Sequence, residues 1–284
     1  MVHMEDTRLN ACDFSPDGLR FVVAGEDRRI HVYDEITRQN VCSMYSNGQK
    51  LPGHQLYVFA TKFVPYDGNL VLTGGWDRII KIYDLRCQYP VDQIIGPQIS
   101  GDALDIADDT ILAGSNRQEK PISLFSFSMR KKITDIELEN QHSREKVAGF
   151  VYGARFSKDR ESTCFFACGA GRNEAKVFDN DTEGSGRYRE MSSFGSNLDP
   201  YLSCDTSPNG RLVAFGTHTG YIYISSYDTG VDEDDGKNKG PVRKQTTLTV
   251  GNTAAFSHGV SNVSASAAAA ATQAINEAPE DGKM

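Results

Sequence analysis

Apolar and polar positions along this chain fall into short runs of two kinds. The first kind is almost wholly apolar and ends on glycine: RFVVAG at Arg20–Gly25, NLVLTG at Asn69–Gly74 and RLVAFG at Arg211–Gly216. Such short, β-branched runs predict strands covered on both faces. The second kind alternates, as in RRIHVYD at Arg28–Asp34 and RIIKIYD at Arg78–Asp84. Alternation predicts strands lying further from the core, with one face polar. Between the runs sit FSPDG, FVPYDG, FSKDR and TSPNG, which place Pro, Asp, Asn and Gly where a tight reversal needs them. No 3.6-residue periodicity interrupts the pattern, so the chain is read as all-β.

The pattern repeats. Five segments align: Ala11–Asp34, Ala60–Asp84, Gly101–Ser126, Gly153–Asp179 and Ser203–Asp228. Each reads as strand, polar turn, apolar strand, turn, alternating strand. Their closing positions, Tyr33, Tyr83, Phe125, Phe178 and Ile224, recur at roughly 40–55 residues, enough for four short strands and variable loops. A radially repeated antiparallel sheet protein fits this spacing.

The second unit carries Gly53-His54, then Trp76-Asp77, then Tyr83-Asp84. This signature resembles the WD-repeat family of β-propellers, and the resemblance covers about residues 8 to 228. Only the second unit has the whole signature; the first and fourth have parts of it, and the third and fifth are degenerate. The resemblance implies a buried hydrogen-bond set of His54, Thr73, Asp77 and Tyr83, with the tyrosine in the place of the family's tryptophan. It assigns that set to architecture and not to hydrolysis.

Propellers of this family usually close with more than five blades. Residues 231–284 open with the acidic, glycine-rich VDEDDGKNKG and end in an Ala-rich stretch. One strand is expected around Thr246–Val250, and the rest of this tail is expected to be disordered. The blades are assigned to residues 8–230. An incomplete or open ring with an exposed edge at the first unit is expected. It could arise because the chain is part of a longer product, because the arc is open, or because another subunit caps the edge.

The 284 residues carry a net charge of −8, which argues against general nucleic-acid binding. No apolar window is long enough for a membrane-spanning helix, and MVHMEDTRLN lacks the regions of a signal peptide. The six cysteines show no CxxC pair, so reduced thiols are expected and neither a metal nor another cofactor. Nothing resembles a nucleophile elbow or a phosphate-binding loop, and no catalytic residue is assigned.

Two surfaces remain. Arg28, Trp76, Arg78, Arg117, Arg172 and His218 fall at or beside the turn that carries the repeat Asp, a basic rim suited to an acidic or phosphorylated protein segment. On the opposite rim, Val71–Arg86 matches a pattern of WD-repeat substrate receptors of cullin–RING ubiquitin ligases, which implies Asp84 and Arg86 as the adaptor contact. The leading expectation is a non-enzymatic interaction scaffold in a cytoplasmic assembly, cytoskeletal or ciliary in type. Receptor activity is the alternative.

Overall fold

The computed structural model describes residues 7–46, 51–117, 119–138, 149–159, 162–171, 173–180, 188–195, 199–226 and 247–250. All regular structure among them is β, in five antiparallel four-stranded sheets. Blade 1 comprises β1 (Leu9–Phe14), β2 (Arg20–Gly25), β3 (Ile30–Asp34) and β4 (Asn40–Met44). Blade 2 comprises β5 (Val58–Val64), β6 (Asp67–Gly75), β7 (Ile79–Asp84) and β8 (Tyr89–Ile95). Blade 3 comprises β9 (Leu104–Ala107), β10 (Thr110–Gly114), β11 (Ile122–Ser126) and β12 (Lys131–Ile136). Blade 4 comprises β13 (Phe150–Phe156), β14 (Cys164–Ala170), β15 (Glu174–Asp179) and β16 (Glu190–Gly195). Blade 5 comprises β17 (Tyr201–Thr206), β18 (Leu212–Thr217), β19 (Ile222–Ser226) and β20 (Thr247–Val250). The chain therefore forms a five-bladed β-propeller.

In every blade the strands pair in chain order. The first strands pack against one another in succession, β1 on β5, β5 on β9, β9 on β13 and β13 on β17. The apolar core is the set of seams between blades. Val22, Ile30, Val32 and Met44 meet Val58, Phe63, Val71 and Tyr83 across the first seam. Leu72, Ile80 and Ile82 continue through Leu112 and Leu124 to Phe156 and Phe165. Phe166 and Val177 meet Tyr201, Val213 and Phe215 across the last. Among the described residues no apolar cluster joins blade 5 back to blade 1.

Glycine is required where a first strand bulges toward the end of the second. Gly75 is one such position: a Cβ there would sit 2.1 Å from the carbonyl oxygen of Tyr57. A bulge between Val58 and Ala60 brings that carbonyl in.

Three readings of the sequence are revised. The alternating strands are not half-exposed: His31 is 5% and Lys81 1% accessible, because β3 and β7 are covered on both faces. The fifth closing position is Ser225, opposite Val213, and not Ile224, which pairs with Ala214. Tyr33 stands opposite Phe21 in the same way, and a shift of one residue turns a side chain to the other face. Finally, β20 pairs with β19 as the fourth strand of blade 5, so the blades reach Val250, past residue 230. The remainder of the tail lies outside the described residues.

Candidate interaction sites on the blades

The second blade is held by a buried polar set at its upper end. His54 lies in the loop before β5, Thr73 in β6 and Asp77 in the turn to β7. The Nδ1 of His54 is 2.8 Å from Asp77 Oδ2, and its Nε2 is 2.7 Å from Thr73 Oγ1. The backbone N–H groups of Gln55 and Ile79 also donate to Asp77, at 3.2 and 3.3 Å. Burial disfavours charge on Asp77, yet His54 and these two amides outweigh it and hold the carboxyl below its usual range. Burial depresses the His54 pKa, with Asp77 opposing. A neutral imidazole with its proton on Nδ1 leaves Nε2 to accept from the Thr73 hydroxyl. The His54 side chain and Thr73 are both 0% accessible, so no substrate atom reaches the hydroxyl of this triad-like arrangement.

Tyr83 stands outside the set. Its ring centroid is 6.2 Å from that of His54, and its buried hydroxyl makes no hydrogen bond among the described residues. Burial pushes its ionisation well up, with the nearby His54 backbone amide opposing. Phenol and indole place their donors differently, which explains why the substitution does not complete the network.

A second buried polar position was not anticipated. In the middle of the third strands, His31, Lys81, Ser123 and Lys176 are all buried, and each reaches a partner on the fourth strand. His31 pairs with Ser43 at 2.8 Å and with Asp27 at 2.7 Å. Lys81 donates to Gln93 Oε1 at 3.2 Å and to the Pro52 carbonyl at 2.8 Å. Ser123 donates to Asp135 at 2.6 Å, and Lys176 to Glu190 at 2.7 Å. Aligning the alternating runs would have found the position, but only burial gives it a meaning.

A third pattern runs along the first strands. Asp13, Lys62, Asp105, Arg155 and Asp205 share one register position and alternate in sign from blade to blade. Asp13 accepts the N–H of Phe63 at 2.7 Å and lies 3.5 Å from Lys62 Nζ. Asp105 accepts the N–H of Phe156 at 2.8 Å. Arg155 is buried, paired with Asp102 and bonded to the carbonyls of Asp102 and Leu104 at 3.0 and 3.3 Å. Charges at this position, with Arg155 the buried one, thus link neighbouring blades.

The rim predicted to bind carries its residues where the repeat places them. Arg28, Arg78, Arg117 and His218 are exposed in the turns between second and third strands, and Arg172 lies outside the described residues. Arg28 and Arg78 both have left-handed backbones, φ 65° and 61°, which the tight turn demands. Trp76 is 39% exposed and stacks on Phe59 at 5.1 Å, beside Tyr57 at 5.7 Å. Its indole N–H donates to Ser100 at 3.1 Å. Leu56 and Tyr57, exposed beside it, were missed because a strand-entry loop gives no periodic signal.

At the other end of the blade, Arg86 folds back on its own strand. Its Nε donates to Asp84 Oδ1 at 2.9 Å and its Nη2 to Oδ2 at 2.6 Å, a two-point pairing that lowers the Asp84 pKa.

Comparison with known proteins agrees with this architecture. The family model described as WD domain, G-beta repeat matches residues 2–34 and 46–84. The first two blades thus carry WD repeats. WD repeat-containing protein 1 of Bos taurus is 35% identical over 78 residues, 28% of this chain and 12% of that protein. The Gallus gallus protein of the same name is 35% identical over 77 residues, 27% of this chain and 12% of its own. WD repeat protein iqw1 of Schizosaccharomyces pombe is 32% identical over 78 residues, 27% of this chain and 9% of its own. The match to these WD-repeat relatives thus spans about an eighth of their length or less.

Proposed function

We propose that this WD-repeat chain is a non-enzymatic interaction scaffold in a cytoplasmic multiprotein assembly, and that it binds protein through the turn rim of blade 2. The observation that carries this reading is Trp76: its ring is fixed by Phe59 and Ser100, yet it stays 39% exposed beside Tyr57 and Arg78. A pre-positioned aromatic loses little freedom on binding, and its N–H is already satisfied, so it offers an apolar anchor. The cations Arg28, Arg78 and Arg117 on the same rim favour an acidic or phosphorylated segment. The net charge of −8 speaks against nucleic acid as the main partner.

Affinity purification of tagged wild-type chain and a Trp76→Ala/Arg78→Ala variant tests this. A set of co-purifying proteins lost only from the variant supports the rim, and identical sets refute it. The ubiquitin-ligase receptor reading instead rests on Arg86, whose side chain is 64% exposed while its guanidinium is engaged by Asp84. Cullin and adaptor peptides lost on Arg86→Ala would favour it.

A further inference from the structure

The carboxylates on the first strands follow one bonding rule. Asp105 takes the N–H of Ile106 on Oδ1 at 3.0 Å and that of Phe156, in the next blade, on Oδ2 at 2.8 Å. Asp13 takes Phe63 on its own Oδ2 at 2.7 Å. In both cases the receiving strand reads a basic residue followed by phenylalanine, Lys62-Phe63 and Arg155-Phe156. The cation lies in the field of the carboxylate each time.

Asp205 occupies the same register position, opposite Ala214 as Asp105 is opposite Leu112. Its Oδ1 takes the N–H of Thr206 at 2.8 Å and Lys158 Nζ at 3.0 Å. Its Oδ2 has no partner among the described residues, and the side chain is 65% exposed. The sheet around it is uncovered as well. Phe166 and Val177 of blade 4 are buried beneath blade 5. Their register counterparts Ala214 and Ile224, with Leu212 and Ile222 beside them, are only half-buried.

We propose that this face of blade 5 seats a further β-blade supplied by a partner protein. Its inner strand carries Lys or Arg facing Asp205, and the N–H of the following residue bonds to Asp205 Oδ2. Charge selects the occupant. The series Asp13, Lys62, Asp105, Arg155, Asp205 calls next for a cation. A second copy entering head to tail would bring Asp13, another carboxylate, to that place. Residues 251–284 hold Lys283 as their one Lys or Arg, next to the final position, and residues 227–246, which hold Lys237, Lys239, Arg243 and Lys244, are about half the length that a blade takes here. The inference rests on blade-to-blade geometry and is independent of the blade 2 rim.

The test titrates the full chain with the synthetic peptide GFVYGARFS, the sequence of residues 149–157. Saturable binding is expected, with slowed hydrogen exchange at Ala214 and Ile224. Replacing the peptide arginine by glutamate, or N-methylating the amide of its second phenylalanine, should each weaken binding about tenfold or more. In the chain, Asp205→Asn keeps an acceptor for Thr206 and should abolish the preference for arginine over glutamate. Absence of saturable binding, or equal binding of the arginine and glutamate peptides, overturns the proposal. Sedimentation of the chain alone adds a further arm: a dimer dispersed by Ile224→Glu would assign the face to a second copy and not to a foreign blade.

Discussion

His54 Nδ1 and the Asp77 carboxylate lie 2.8 Å apart, and this bond ties the loop before β5 to the turn after β6. The carboxylate also serves Gln55 and Ile79, so its loss leaves the buried His54 ring N–H and two backbone amides without an acceptor. Asp77→Ala should therefore cost about 1–3 kcal/mol in urea unfolding. Asp67 accepts only the Asn69 N–H among the described residues, at the partly exposed start of β6, and Asp67→Ala should cost clearly less. Equal costs would contradict the role given to Asp77.

The same pair makes stability depend on pH. His54 has a folded pKa below the ordinary 6.5, so the unfolded chain takes up a proton there that the folded chain refuses. Stability should be full above about 6.5 and fall as pH drops from that value toward the depressed one, by at most about 1.4 kcal/mol per pH unit. The Asp77 contribution follows at lower pH, beginning near the ordinary 3.8 and lost through its lowered folded value. Urea midpoints between pH 7.5 and 5 should therefore slope for the wild type and flatten for His54→Gln. An unchanged slope in the variant would place the titrating group elsewhere.

Arg155 clamps blade 4 to blade 3 from a buried position, with a side chain 6% accessible. Arg155→Ala removes its bonds to two carbonyls and to Asp102 and should cost about 3 kcal/mol, since buried carbonyls lose their donor and the buried side chain leaves a cavity. Lys158, 47% exposed, pairs with Asp205 near the surface, and Lys158→Ala should cost under about 1 kcal/mol. Thermal or urea unfolding of the two variants checks the ranking.

On the rim, Trp76→Ala should weaken the main partner by about 2 kcal/mol, roughly thirtyfold. Arg86→Ala should leave that affinity nearly unchanged, because the two residues sit at opposite ends of the β6–β7 pair. Calorimetry with the partner recovered by affinity purification measures both, after circular dichroism shows that each variant folds. A larger effect at Arg86 than at Trp76 would shift the binding surface to the other rim.

The repeat, the strands and the turns could be read from the sequence because their causes are local. Alternation, glycine and proline act within a few residues, and five recurrences of one pattern reinforce each other. The pairing of His54 with Asp77 came from a motif, across 23 residues. What the sequence could not give is what lies between blades. Lys81 reads as a polar position of a half-exposed strand, and only packing against two neighbours buries it and turns it to Gln93 and Pro52. Ile224 aligned one place out, because a degenerate repeat leaves the register to be fixed by pairing. The alternation of Asp13, Lys62, Asp105, Arg155 and Asp205 was present in the letters all along. It acquired significance only when the first strands stood side by side, since charges some 50 residues apart in the chain interact through distance in space and not along the backbone.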